Sequence, residues 1–342
     1  MPELEFGKVI TAVVTPFKPD LSIDFNAYAK LLEYLGANSS DSIVVCGTTG
    51  ESPTLTESEK LELLEFTIKK IDKKIKVIFG AGTNDTKKSI ELAKRASQLG
   101  ADGLLIVAPY YNKPNQRGIL AHFGAIAKSV DLPIIVYNIP GRTGITIENS
   151  TIMELNNSFT NIKYLKDSTG NLAAANDLNV KKSDSLTVYS GDDDLTLPFL
   201  RLGAVGVISV ASHIIGNGIN DMINAFNSNN LTLAKDLHNK FLPLFKNLFI
   251  EPNPVCVKYA LSKLNIIDPY VRLPLVELAP ESKKIIDTTL DNLNCLKVKV
   301  FATNLSLPGI GVAENITVSP GVILTCLCSA CAMRFSAAKG SP

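Results

Sequence analysis

Eight short apolar runs, spaced roughly 20 to 35 residues apart, constrain the fold of this chain more than any other feature. They read VITAVV (9–14), SIVVC (42–46), KVIFG (76–80), GLLIV (103–107), PIIVY (133–137), IKYLK (162–166), LTVYS (186–190) and GVISV (206–210). Each is apolar almost throughout rather than at every second position. A strand with one wet face alternates, whereas a strand covered on both faces does not. The intervals between runs leave room for a helix, so the pattern predicts βα units and a parallel sheet.

Helical periods fill the gaps. Phe25, Tyr28, Leu31, Leu32 and Leu35 share one stripe, and Ile90, Ala93, Ala96 and Leu99 share another. Thr86 is placed to cap the second helix and Gly100 to end it. Thr56 followed by Glu59 is a capping-box pattern. Eight covered strands with helices between them predict a (β/α)8 TIM barrel over residues 1–222. A doubly wound sheet is the competitor, and it calls for a Gly-x-Gly-x-x-Gly turn after the first strand or a P-loop. Neither occurs, and Gly80-Ala81-Gly82 lacks the third glycine. Beyond the last strand, 216–293 reads as helices with polar linkers, so a C-terminal helical domain is expected at 223–294. Residues 295–342 carry little charge and no long helical period. They are set apart as a tail expected to be poorly ordered and without a catalytic role.

The totals narrow the function. A net charge of +1 supplies no field to gather nucleic acid or an anionic membrane, so neither partner is expected. Three histidines make a multi-histidine metal site unlikely on supply alone, and no metal or organic cofactor is expected. Only two of six cysteines, Cys46 and Cys256, precede residue 290, which suits a reducing cytosol. The N-terminus lacks the pattern of a signal peptide, and the longest apolar stretch, 321–332, is too short to span a bilayer. A cytoplasmic protein is expected.

In a barrel of this kind the chemistry sits where strands end and loops begin. There the sequence places Gly47-Thr48-Thr49-Gly50-Glu51, Pro109-Tyr110-Tyr111-Asn112, Tyr137 to Gly144, Lys166 and Ser190-Gly191-Asp192. A lysine ending an apolar strand has a sheltered amine suited to attacking a carbonyl; the structural alternative is a lysine paired with Asp167. The twin-threonine turn offers hydroxyls and backbone N–H groups to a carboxylate, or is an ordinary turn. Tyr111 and Tyr137, joined through Thr48, would relay protons; singly, each tyrosine reads as packing. Arg142 would clamp a carboxylate bidentately, or is a solvated arginine. Asp192-Asp193-Asp194 reads as a cap for the helix that follows, and His122 and His213 read as structural.

Taken in order, GTTGES (47–52), PYYNKP (109–114), YNIPGRTG (137–144), KDSTGN (166–171), SGDD (190–193), GVISV (206–210), EPNPVCVKYAL (251–261) and RLPL (272–275) resemble the dihydrodipicolinate synthase branch of the pyruvate-lyase superfamily. The resemblance covers about residues 6–293 and rests on the ordered set. It implies a (β/α)8 barrel with a C-terminal helical domain, assembled as a homotetramer of tight dimers. It implies condensation of pyruvate with L-aspartate-4-semialdehyde to 4-hydroxy-tetrahydrodipicolinate, a step of lysine and diaminopimelate biosynthesis. Residue by residue, Lys166 matches the Schiff-base lysine, Tyr137 the proton-shuttling tyrosine and Thr48 the middle of the relay. Tyr111 matches the tyrosine supplied across the dimer interface. Thr49 matches a contact to the pyruvate carboxylate, Arg142 the arginine for the second substrate's carboxylate, and Gly191 and Ile208 the pocket lining.

Two rivals are weighed. An N-acetylneuraminate lyase or 2-keto-3-deoxy sugar acid aldolase would share the fold and the lysine, but these resemble the pattern without the arginine that stands here as Arg142. A catalytically silent barrel that only binds its ligand is opposed by Lys166, Tyr137, Thr48, Tyr111 and Arg142 occurring together. In lysine-sensitive members an acidic residue holds the inhibitor's ammonium. Lys88 stands there, and Pro53, Glu57 and Lys60 also depart from that pattern, so weak or absent lysine feedback is expected. The tail exceeds the family's usual length, and its Cys326, Cys328 and Cys331 fall short of a closed four-ligand zinc site.

Overall fold

A computed structural model describes residues 4–71 and 75–295. The eight apolar runs all form strands: β1 (Val9–Ala12), β2 (Ser42–Val45), β3 (Lys76–Gly80), β4 (Gly103–Val107), β5 (Ile134–Asn138), β6 (Ile162–Asp167), β7 (Thr187–Ser190) and β8 (Gly206–Ser209). They pair in parallel in chain order and close, with Ile10 of β1 opposite Ile208 of β8. Around them run α1 (Phe25–Ala37), α2 (Glu57–Lys70), α3 (Thr86–Leu99), α4 (Gln116–Ala127), α5 (Pro140–Thr143), α6 (Asn149–Ser158), α7 (Leu172–Lys181), α8 (Thr196–Arg201) and α9 (Ser212–Asn227). Three further helices follow: α10 (Leu231–Asn247), α11 (Val255–Lys263) and α12 (Pro280–Asn292).

The continuous apolar runs have the reason the sequence suggested. Val9, Val45, Phe79 and Leu104 face outward into the layer beneath the helices, while Ile10, Val44, Ile78 and Leu105 face the barrel interior. Both sets are buried, so neither face of these strands imposes an alternation of apolar and polar residues. The barrel floor is closed by the N-terminal segment. Phe6, fully buried, stands 5.0 Å from the Tyr164 ring, and Tyr164 donates to Glu5 Oε2 at 2.8 Å. Tyr189 donates to the Gly7 carbonyl at 2.8 Å. Phe6 fits because residue 103 is glycine: a Cβ there would lie 2.6 Å from its Cζ. Burying such a ring contributes about 1.5–3 kcal/mol.

The helix caps follow the sequence in two cases and depart from it in one. Thr56 and Glu59 form the reciprocal capping box of α2, and Gly100 ends α3 with φ +95°. The cap of α3, however, is Asp85, whose carboxylate accepts from Lys87 N and Lys88 N. Thr86 is instead the first helical residue and bonds His122 Nδ1 at 2.9 Å. A carboxylate is a stronger acceptor than a threonine hydroxyl for the orphan N–H groups of a first turn. Ser89, Leu92, Ala93 and Ala96 are the buried stripe of α3, with Ile90 and Leu99 at its flanks. Among the described residues no helix is long and apolar enough to cross a membrane. Apart from Cys295, the expectations for the tail lie outside the described residues.

Candidate active site

The carboxyl ends of the strands open on a cavity of about 240 Å³, lined among others by Cys46, Thr48, Lys60, Tyr110, Tyr137 and Arg142. Strand register sets Lys166 beside it, against the cavity-lining Tyr137. Tyr137 of β5, Lys166 of β6 and Tyr189 of β7 are opposite one another across adjacent strands, so all three side chains point to the same, inner face. Lys166 is 6% exposed, and its Nζ lies 4.2 Å from the centre of the Tyr137 ring. The next residue, Asp167, faces the other way. Its carboxylate accepts from Thr169 N at 2.9 Å, and burial pushes it above the usual carboxylate range. The Lys166–Asp167 pair considered from sequence is therefore absent: adjacent residues of a strand occupy opposite faces. None of the ion pairs among the described residues includes Lys166.

Gly191 is required by the lysine's position. A Cβ there would lie 3.0 Å from Lys166 Cε and 1.9 Å from Ser168 Oγ. Beside it, burial pushes Asp192 up to about 6, an effect that the nearby Lys166 opposes. Asp193 is fully used in the structure. It accepts from Ser209 Oγ at 2.5 Å, Val210 N at 3.1 Å and Ala211 N at 2.9 Å. It thus ties down the loop leading into α9, rather than capping the helix that directly follows it. Ile208 is in the inner core layer with Tyr137 and Tyr189. His213 accepts from Val14 N and bonds the Val210 carbonyl, a satisfied buried histidine that burial lowers to about 4.

The twin-threonine turn leaves β2 through two left-handed residues, Cys46 and Glu51, with φ of 57° and 56°. Gly50 N donates to the Gly47 carbonyl and Glu51 N to the Thr48 carbonyl, at 3.1 and 3.0 Å. Thr15 Oγ1 donates to the Gly50 carbonyl at 2.7 Å. Gly80 permits the turn: a Cβ there would stand 2.3 Å from the Cys46 carbonyl oxygen. Thr48 is partly open and lines the cavity. Thr49 is buried behind it, its Oγ1 accepting from Asn253 Nδ2 at 2.9 Å.

Arg142 is exposed at the rim, on the short α5 that Pro140 begins and Gly144, at φ +73°, ends. Asn138 holds that loop by bonding both Ile147 N and the Ile147 carbonyl. Tyr111 is the outlier. It is 89% exposed at φ 74° and does not line the cavity, where Tyr110 stands instead. Tyr137, Thr48 and Arg142 thus line the cavity and Lys166 packs against Tyr137, while Thr49 is buried behind Thr48, Gly191 abuts Lys166, Ile208 belongs to the inner core layer and Tyr111 lies apart. Sequence reasoning passed over Asn138 and Asn253. Asn138 had a readable signal, an asparagine ending an apolar strand just before a Pro-Gly turn; Asn253 had none locally.

Comparison with known proteins came to the same region of the chain. The model of the dihydrodipicolinate synthetase family matches residues 5–293. The 4-hydroxy-tetrahydrodipicolinate synthase of Desulforamulus reducens is 45% identical over 296 residues, covering 86% of this chain and all of the relative. That of Bacillus subtilis is 42% identical over 290 residues, covering 85% and 100%. Among solved structures, DHDPS from Cyanidioschyzon merolae with lysine bound superposes with a TM-score of 0.85 at 43% identity, covering 86% of this chain and 100% of that one.

Proposed function

The chain belongs to the dihydrodipicolinate synthetase family, and from that premise we propose that it is an enzyme of the lyase class, a 4-hydroxy-tetrahydrodipicolinate synthase acting through an imine on Lys166. Its substrates are pyruvate and L-aspartate-4-semialdehyde. The observation that carries the mechanism is the setting of Lys166, a buried amine outside every ion pair among the described residues, stacked on a phenol at the mouth of the barrel.

The amine's lone pair attacks C2 of pyruvate, and the carbonyl oxygen leaves as water. The resulting iminium draws electrons from the adjacent methyl group, which loses a proton to give an enamine. The enamine carbon attacks the aldehyde of the second substrate, whose oxygen takes up a proton; that substrate's own amine then attacks the iminium carbon, closing the ring as the C–N bond to Lys166 breaks and the lysine amine leaves. Tyr137, against Lys166, is the group to carry these protons, and Thr48 the next station outward. Thr49 and the turn's N–H groups face the pyruvate carboxylate; among the described residues no protein acceptor is found for Thr48 N or Thr49 N. Arg142 at the rim takes the carboxylate of the semialdehyde, which favours this substrate over the polyol chain of a sugar acid. Gly191 and Ile208 leave and shape the space for pyruvate. The steps need no metal or organic cofactor.

Tyr111 belongs to this reading as a residue offered to a neighbouring subunit, within a homotetramer of two tight dimers. Residues 1–222 are the catalytic barrel, 223–294 a C-terminal helical domain, and the cytoplasm the proposed compartment. Lysine feedback is proposed to be weak: Lys88 stands where sensitive relatives carry an acid, and Lys60 in the cavity wall is a further cation. A titration giving strong inhibition at low lysine would reject that point. For the chemistry, incubation with pyruvate and borohydride followed by mass spectrometry is the test. A pyruvate-derived mass addition on Lys166 is expected; an unmodified lysine removes the mechanism and leaves the silent binding barrel standing.

A further inference from the structure

A second lysine, Lys258 on α11, is fully buried without touching the cavity. Its Nζ donates to Glu51 Oε1 at 2.5 Å and to the Tyr270 carbonyl at 2.6 Å, and lies 4.2 Å from the centre of the Phe17 ring. Glu51 is itself only 3% exposed and is the residue that ends the twin-threonine turn. Its other oxygen accepts from Arg272 N at 3.1 Å. Two residues before Glu51, Thr49 accepts from Asn253, which lies two residues before the start of α11. The segment around α11 thus grips the turn at two points, one charged and one neutral.

Stability alone is a poor account of the charged grip. A buried ion pair seldom outdoes apolar residues of similar volume. The backbone points elsewhere too: Glu51 holds a left-handed conformation that a glycine would adopt freely, and the turn's neighbour Gly50 is not the residue used there. Non-glycine residues kept in that region by many contacts gather at functional sites. Here the contacts that keep Glu51 come from a segment about 207 residues further along the chain.

We propose that Lys258 and Asn253 are positioning residues for the reaction, setting Thr48 and Thr49 against pyruvate by bracing the turn from behind. This rests on the imine chemistry of Lys166 described above. Neither residue touches substrate. Their effect passes through Glu51 and through the Thr49 hydroxyl, whose oxygen is oriented by the Asn253 amide so that its proton points away from it.

The test uses the full-length chain. Lys258→Met leaves Glu51 buried and unpaired and lowers the melting temperature. The double variant Glu51→Gln with Lys258→Met removes the stranded charge, so the melting temperature rises back towards that of the parent. The brace is absent in both. In the double variant kcat/KM for pyruvate is expected to stay about 10- to 100-fold low, the usual consequence of a misplaced catalytic group. Recovery of kcat/KM together with the melting temperature overturns the proposal, because the pair would then serve folding only. Asn253→Ala carries the test without any charge change, in case the double variant does not fold. It is expected to raise the pyruvate KM about tenfold with a smaller change in kcat, and an unchanged KM overturns the neutral grip. Borohydride trapping of the parent separates the two levels: an adduct on Lys166 with no effect of the variants sinks the brace alone, whereas no adduct in the parent sinks the site reading and the brace with it.

Discussion

At the scale of single residues, what separates Lys166 from Lys258 is partnership. Both are buried, but Lys258 is pinned by a carboxylate and a carbonyl, while Lys166 lies against the face of the Tyr137 ring. The first arrangement holds a shape; the second leaves the amine outside every ion pair among the described residues. Arg142 should show the complementary signature. Arg142→Ala is expected to lower kcat/KM for the semialdehyde by about 10²-fold, the loss of one charge-assisted clamp of about 3 kcal/mol, while pyruvate still forms its borohydride adduct. Asp192 carries a pH signature. Burial raises it from 3.8 to about 6, so the folded state favours the protonated form. Its contribution is fully present below the unfolded value and is lost as pH rises through the folded one. Asp192→Asn is therefore expected to stabilise the fold by about 1–3 kcal/mol near pH 8 and to be neutral below about pH 4, as read from denaturation curves. Most of these residues were legible in the sequence, because each sits where an apolar strand meets a polar loop. The environment of Lys166 was not: the strand alternation that turns Asp167 away appears only once the register of β5, β6 and β7 is known.

At the scale of elements, all eight strands were legible to within two residues, because burial on both faces leaves an unbroken apolar record. The helices were less so. In α3 the apolar periodicity suggested a stripe through Ile90 and Leu99, but the buried line runs through Ser89 and Leu92. Ser89 is accepted inside because it bonds Thr83, a partner no periodicity reveals. The floor of the barrel offers an element-level test. Gly103→Ala at the start of β4 would drive a methyl group into Phe6, and such overpacking costs about 1–3 kcal/mol. Urea denaturation should show that loss. An unchanged midpoint would mean that the N-terminal segment is not seated as described.

At the scale of the whole molecule, the pieces that sequence reading missed are those joined over the longest stretches of chain. Asn253 meets Thr49 and Lys258 meets Glu51 across 204 and 207 residues, and nothing local to either end announces the pairing. Tyr111 raises the converse point, a residue left over by one subunit. If it completes a neighbour's site, Tyr111→Ala and Lys166→Ala variants, each inactive or nearly so, should regain activity when mixed and reassembled. Mixing without recovery would mean that Tyr111 acts on its own subunit or not at all. The plug formed by Phe6, Tyr164 and Tyr189 has its own consequence. With the base stoppered among the described residues, traffic falls to the opposite end, and on the imine reading proposed above the keto acid, the water it sheds and the later-arriving aldehyde all share that end. Whatever docks last at the rim holds the earlier guest inside.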